Sequence, residues 1–235
     1  MRVDFYTTTI QANITKERDL HEAAYTRYPD NTMWWCMVDL VSSSNFRLFH
    51  GPKEGYVRGE TFFSLIRNVI SPCTEIRCIK EIGDAVLLTS ADPRAILECL
   101  ILIDQVAYQI SAIASTEKFP FAIRGAINFG VAKRLMRDKE DFLGSPIDTL
   151  SRIMSIKKEG CNLFIGEDAY IPSKEIVEEY RSFLNISNVK MMDNITSKNL
   201  MNPIYYRELT ITRDSLLKYT DFFESWKKVA EQRRS

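Results

Sequence analysis

The sequence predicts an α/β protein of the α+β kind, a ferredoxin-like βαββαβ core with added strands and helices and an antiparallel or mixed sheet. Three observations point there. Strand-type and helix-type runs alternate in the order β-α-β-β-α-β. Residues 33–38 form an apolar run that reads as a central strand buried on both faces. A long stripe at helical spacing follows Asp92-Pro93, with Asp as N-cap and Pro in the first helical position.

Taken in order, residues 1–31 are polar and mixed and predict an N-terminal arm, with a helix over 15–28 ended by Pro29. The first strand covers 33–40. Residues 47–58 hold two Gly and a Pro and read as a loop. A helix over 60–70 stops at Ser71-Pro72. Residues 75–88 read as two strands joined by a tight turn at Gly83-Asp84. Alternation puts Ile76, Cys78, Lys80 and Ile82 on one face of the first of these, so Lys80 sits among apolar neighbours. The next helix shows the stripe Ile96, Cys99, Leu100, Ile103, Val106, Ala107, Ile110 and Ile113. A strand over 121–129, a helix over 145–158, a short strand over 161–165 and a helix over 174–183 follow. A hairpin of 189–192 with 204–209 closes the core, and 213–233 predict an exposed tail helix. The domain division expected is an arm at 1–31, a catalytic domain at 32–210 and a helical tail at 211–235.

The bulk numbers narrow the function. Lys plus Arg and Asp plus Glu both count 31, so the neutral chain speaks against a nucleic-acid groove or an anionic membrane surface. The five cysteines show no paired metal spacing, and most read as reduced core residues of a cytoplasmic protein. Two histidines, His21 and His50, argue against a His-built zinc site or a Ser–His triad. No stretch reaches the roughly 18 apolar residues of a spanning helix, and no secretion signal opens the chain. No membrane and no nucleic-acid partner are expected.

The chemistry concentrates in three places. The first strand runs into a lone carboxylate, Asp39, then into Leu40, Val41 and the small polar turn Ser42, Ser43, Ser44, Asn45. A carboxylate there is costly to bury unless something positive meets it, and such a turn can aim N–H groups at an anion. The bland alternative is a strand ending at a surface turn. A second carboxylate, Asp84, lies on the I-G-D-A turn, where Gly-Asp is ordinary hairpin chemistry if nothing else uses it. Two oxygen ligands of this kind suit Mg²⁺ or Mn²⁺ with phosphate oxygens. The third piece is D-F-L-G-S-P-I-D-T-L-S-R-I, residues 141–153, where Asp148 and Arg152 share a helix face. They form either a plain surface ion pair or a phosphate contact.

Together these pieces resemble the class III nucleotidyl cyclases, the adenylate and guanylate cyclase catalytic domain. Asp39 falls in the pattern F-x-D-[IL]-x-[GS]-[ST]-[ST] and Asp84 in [IL]-G-D-[AG]. Gly144, Ile147, Asp148, Ser151 and Arg152 fall in G-x-x-[VI]-N-x-A-[AS]-R-[LM], and I-R-G-A-I-N-F-G is similar to the family's R-x-G-[IL]-x-x-G strand. The resemblance spans about residues 33–209. It implies that Asp39 and Asp84 bind two Mg²⁺ or Mn²⁺ ions, with the Leu40 carbonyl as a backbone ligand. It implies that Ser42, Ser43, Ser44, Asn45 and Phe46 lie against the phosphates, and that Lys190 or Lys198 holds the terminal ones. Arg152 would reach the site from a partner subunit, making a homodimer with sites at the interface. Asp148 departs from the family's asparagine: an ionised Asp cannot donate a hydrogen bond to the ribose, as Asn can.

Two residues bear on the base. Lys80 and Asp141 stand where adenylate cyclases carry a purine-selecting lysine and aspartate, which implies ATP. Against this, no sensor or membrane domain is recognisable, although the family is usually fused to one. M-V-D-L-V-S-S-S-N, I-R-G-A-I-N and G-S-P-I-D resemble the stand-alone pyrimidine cyclases of bacterial Pycsar anti-phage systems. The 47–58 segment could narrow the base pocket, with Tyr56 or Arg58 as base contacts. The expectation is UTP over ATP, with CTP behind, giving cUMP as a defence messenger. A non-catalytic cyclase-like module and a polymerase palm remain as other classes; the neutral charge speaks against the palm.

Overall fold

A computed structural model of the chain describes residues 30–135, 141–156, 162–192 and 203–212. The elements are β1 (Asp30–Leu40), α1 (Ser43–His50), α2 (Pro52–Ile70), β2 (Arg77–Ile82), β3 (Ala85–Ser90), α3 (Pro93–Ala114), β4 (Ile123–Leu135), β5 (Asp141–Leu143), α4 (Ser145–Ile153), β6 (Leu163–Gly166), α5 (Glu167–Glu179), β7 (Leu184–Ile186), β8 (Lys190–Met191) and β9 (Tyr205–Ile211). The sheet order is β2-β3-β1-β4-β6-β9-β7, with β5 on β4 and β8 on β9. Only the β4–β6 pair is parallel among the described strands. The first part is the expected βαββαβ core, and β5 to β9 are the additions.

β1 is the centre of that core because both of its faces are covered. Trp34, Cys36, Val38 and Leu40 point into a cluster shared with α2, α3 and α5. Trp35 and Met37 point the other way, into a smaller cluster under α4 that includes Leu87, Ala126, Ile147, Leu150 and Ile153. The side chains alternate, so Asp39 belongs to the α4 face. Each core cluster removes several whole aliphatic side chains from water, about 1.5–3 kcal/mol each, so β1 is rigidly placed.

Several expectations are corrected. Residues 47–58 are not a loop: they hold the end of α1 and the start of α2. Gly51 breaks the helix at φ +96, and Pro52 opens the next one, where its missing N–H costs nothing. Gly55 lies within α2, and its lack of a Cβ lets Arg47 pack against it: a Cβ there would meet Arg47 at 2.9 Å. In β2 the alternation fails at a bulge between Cys78 and Lys80. Ile79 is the buried residue, while Cys78 and Ile82 are exposed. The apolar stripe of α3 ends before Ile113, which is 89% exposed. The helix itself has 22 residues, and an 18-residue stretch of it has a mean hydropathy of 1.6, enough by length and composition to span a membrane. It is nonetheless packed against α2, α5 and the sheet. The helix expected at 15–28, the tail helix at 213–233, Cys161 and Lys198 lie outside the described residues.

Candidate active site

The two carboxylates meet where β1 and the β2–β3 turn end side by side. Asp39 stands opposite Ala85 on β3, the residue after Asp84. Gly83 takes the first turn position at φ +64, which glycine tolerates, and so delivers Asp84 to the strand end. The Leu40 N–H donates to the Asp84 carbonyl at 3.4 Å, so the Leu40 backbone runs beside it. The Ser43 hydroxyl donates to the Asp84 carboxylate.

Asp39 is in an unstable setting for a charge. Its Oδ1 is buried without a hydrogen-bond partner. Burial first, and the nearby Asp84 second, push its pKa up to about 6, while Arg124 and the Leu40 N–H pull it down. A carboxylate so placed gains most from a cation. Two adjacent oxygen donors, one with an unsatisfied lone pair, fit Mg²⁺ or Mn²⁺, which completes its shell with water and phosphate oxygens. Among the described residues no group of three or more His, Cys, Asp or Glu gathers as a metal cluster, so among them the two carboxylates stand as a pair.

Immediately after β1 comes the N-terminus of α1. Ser42 is at φ 59, the one positive value for a non-glycine among the described residues. That conformation costs of order 1–3 kcal/mol. It turns the chain so that α1 begins beside Asp84. The Phe46 N–H bonds the Ser42 carbonyl, and the N–H groups of Ser43, Ser44 and Asn45 precede the first complete helical bond. Free donors and the positive end of a helix make an anion seat. The Phe46 ring, expected against the phosphates, is buried in an aromatic cluster with His50 and Phe119.

Arg58, expected as a base contact, also acts as a clamp, and it borders the same cavity as Tyr56. It is 3% exposed. Its guanidinium donates to the carbonyls of Phe119 (3.0 Å), Pro120 (2.8 Å) and Val41 (3.3 Å) and lies over the Phe46 ring. It thereby fixes the turn that follows β1. Tyr56 is exposed and lines a cavity of about 290 Å³ together with Leu40, Ser43, Arg47 and Asp84.

Lys80 pairs with Leu87 across the hairpin, and Leu87 pairs with Met37, so Lys80 shares the Asp39 face of the sheet. Its ammonium is 2.5 Å from Asp141. α4 lies on that same face over β4 and β1, with Asp148 exposed in its first turn and Arg152 half-buried in its last. Two side chains of β4 hold it there. Asn128 reaches the Pro146 carbonyl at 3.5 Å and Arg124 the Met154 carbonyl at 3.0 Å. Gly166 makes room for Asn128, since a Cβ there would lie 2.4 Å from its Oδ1. Lys190 is engaged with the buried Glu208 at 2.6 Å. Arg124 and Asn128 escaped the sequence reading as individual residues. The signal available was the strand I-R-G-A-I-N itself, with two polar residues four apart, hence on one face, of an otherwise apolar run.

No protein-family model matches the chain, and no curated protein matches it by sequence. Solved structures do. The adenylyl cyclase CyaB of P. aeruginosa superposes with a TM-score of 0.64 at 14% identity, covering 79% of this chain and 96% of that one. An adenylate/guanylate cyclase/hydrolase from Silicibacter pomeroyi gives 0.62 at 18% identity, covering 77% and 98%. A dimeric guanylyl cyclase domain of the RhoGC fusion protein from Blastocladiella emersonii gives 0.59 at 13% identity, covering 78% and 98%. The described part of this chain has the fold of the adenylyl and guanylyl cyclase domains.

Proposed function

We propose that this chain is a nucleotidyl cyclase, converting a nucleoside triphosphate to a 3′,5′-cyclic nucleotide and pyrophosphate. The observation that carries the reading is the unpartnered Asp39 Oδ1 beside Asp84, at the foot of the α1 N-terminus, within this fold. The substrate's 3′-oxygen attacks its own α-phosphorus, the bond to the β-phosphate bridging oxygen breaks, and the hydroxyl proton leaves to water. Asp39, Asp84 and the Leu40 carbonyl would hold Mn²⁺ or Mg²⁺, which supplies charge neutralisation to attacking and leaving oxygens when bound. The first turn of α1 orients the phosphates with Ser43, Ser44 and Asn45. Arg152, from the partner of a homodimer, donates to the α-phosphate oxygens. Asp148 accepts from the ribose hydroxyl instead of donating to it, and its charge is offset by Arg152.

For the base, we read UTP, giving cUMP as an anti-phage second messenger of a cytoplasmic enzyme. This rests on the resemblance to the stand-alone pyrimidine cyclases and on Tyr56, which lines the cavity beside Asp84. A second reading, ATP to cAMP, is favoured by one observation, the Lys80–Asp141 ion pair, since an adenine site uses that pair. The test is incubation of purified protein with Mn²⁺ and each of four labelled triphosphates, followed by product identification. A cyclic nucleotide with equimolar pyrophosphate supports the cyclase. No cyclic product from any of the four leaves a nucleotide-binding module.

A further inference from the structure

Arg124 stands directly opposite Asp39 in the β1–β4 register, so the two side chains leave the sheet on the same face. Its Nη1 donates to the carbonyl of Met154, the residue at the C-terminal end of α4. A helix C-terminus leaves carbonyls without donors and carries partial negative charge; a guanidinium there answers both. Met154 lies two residues beyond Arg152. One side chain therefore reaches from the strand position facing Asp39 to the helical turn that carries Arg152.

We infer that Arg124 is a positioning residue that ties the last turn of α4, and with it Arg152, to the carboxylate strand, while its charge opposes cation binding at Asp39 and Asp84. The inference rests on the cyclase reading of Asp39, Asp84 and Arg152. Its two effects have opposite signs. A fixed Arg152 favours turnover, because the donor stays aligned. A positive charge near two carboxylates weakens their hold on a divalent ion. A residue that merely stabilises the fold would not move these two quantities in opposite directions.

The experiment compares wild type, Arg124→Met, Arg124→Lys and Asp39→Ala in three measurements: Mn²⁺ binding without nucleotide by electron paramagnetic resonance, hydrogen exchange of amides 152–156, and steady-state turnover. Arg124→Met should bind Mn²⁺ more tightly by about threefold or more. It should lose exchange protection in the last turn of α4. Its kcat should fall at least about tenfold with KM changed less than about threefold, the pattern of an interaction made only in the transition state. Arg124→Lys should recover part of the protection and of kcat, and it decides the matter if the Met variant does not fold. Unchanged α4 protection overturns the tether, and weaker Mn²⁺ binding in a folded Arg124 variant overturns the charge effect. Absence of Mn²⁺ binding in wild type, or its persistence in Asp39→Ala, strikes the cyclase reading instead, and the exchange data still judge the tether.

Discussion

Lys80 Nζ lies 2.5 Å from Asp141 Oδ1, an ion pair that joins β2 to β5 across 61 residues of chain. An ammonium has three donors, and Asp141 takes one. In an adenine site another donor meets a ring nitrogen; in a uracil site it meets a carbonyl oxygen. The pair is compatible with either base, so the measurement has to be competitive. UTP should turn over faster than ATP by at least about tenfold, the factor that some 1.4 kcal/mol of discrimination gives. Lys80→Ala should reduce that ratio, because the remaining contacts read the base less sharply. Equal or greater turnover of ATP by wild type hands the site to the adenylate reading.

Asp39 makes a prediction about stability that needs no substrate. Its carboxyl is raised from 3.8 to about 6, so the folded protein binds more protons than the unfolded chain between roughly those pH values. Metal-free stability therefore falls as pH rises through that window, by on the order of 1–2 kcal/mol after allowance for solvent screening. The wild-type minus Asp39→Asn difference in melting free energy, followed from pH 4 to 7.5 in chelator, should show this slope. Saturating Mn²⁺ at pH 7.5 should raise the wild-type melting temperature and leave Asp39→Asn nearly unmoved. A difference that is flat with pH would mean Asp39 is not buried as described.

Loss of either carboxylate should abolish product by about a hundredfold or more while the fold persists, since the site's charge neutralisation depends on both. Asp39→Ala and Asp84→Ala, checked by circular dichroism and then assayed with Mn²⁺, test this. Full activity in either variant removes the two-metal assignment.

If Arg152 acts across subunits, two dead variants complement. Mixed Asp39→Ala and Arg152→Ala chains form heterodimers with one intact site and one doubly defective site. Under free exchange, about a quarter of all sites recover. Mixtures that stay dead despite demonstrated exchange place Arg152 and Asp39 of one chain in the same site.

Arg58 separates a clamp from a base reader. Arg58→Met strands three carbonyl acceptors, on Val41, Phe119 and Pro120, and should cost about 2–4 kcal/mol. For a chain of this size that is a fall in melting temperature of very roughly 5–15 °C. At a temperature where the variant stays folded, its UTP-to-ATP ratio should match wild type. A changed ratio would make Arg58 a base contact as well as a clamp.

The parts legible in the sequence were those that depend on nearest neighbours. The apolar run through Trp34–Val38 announced a strand covered on both sides, and Gly83 announced the turn that carries Asp84. The misread parts depend on contacts and irregularities that a periodic pattern does not contain, some of them with partners far along the chain. Gly55 looks like a loop residue until Arg47 is seen packed where its Cβ would be. Lys80 keeps its face only because Ile79 bulges, which no period-2 reading contains. The clamping roles of Arg58 and Arg124 were not legible because the carbonyls that hold them, on Phe119 and Met154, lie 61 and 30 residues away.

β1 has a consequence for how the protein is made. It precedes both of its neighbours in the chain, with β3 starting at Ala85 and β4 at Ile123. Synthesis proceeds at about 5–20 residues per second, so Trp34, Trp35 and Met37 leave the ribosome several seconds before their second flank exists. During that interval an apolar strand with unpaired edges is open to its like on neighbouring nascent chains. Yield in a host short of holding chaperones should therefore respond to this strand, whose buried residues also form the floor on which Asp39 stands.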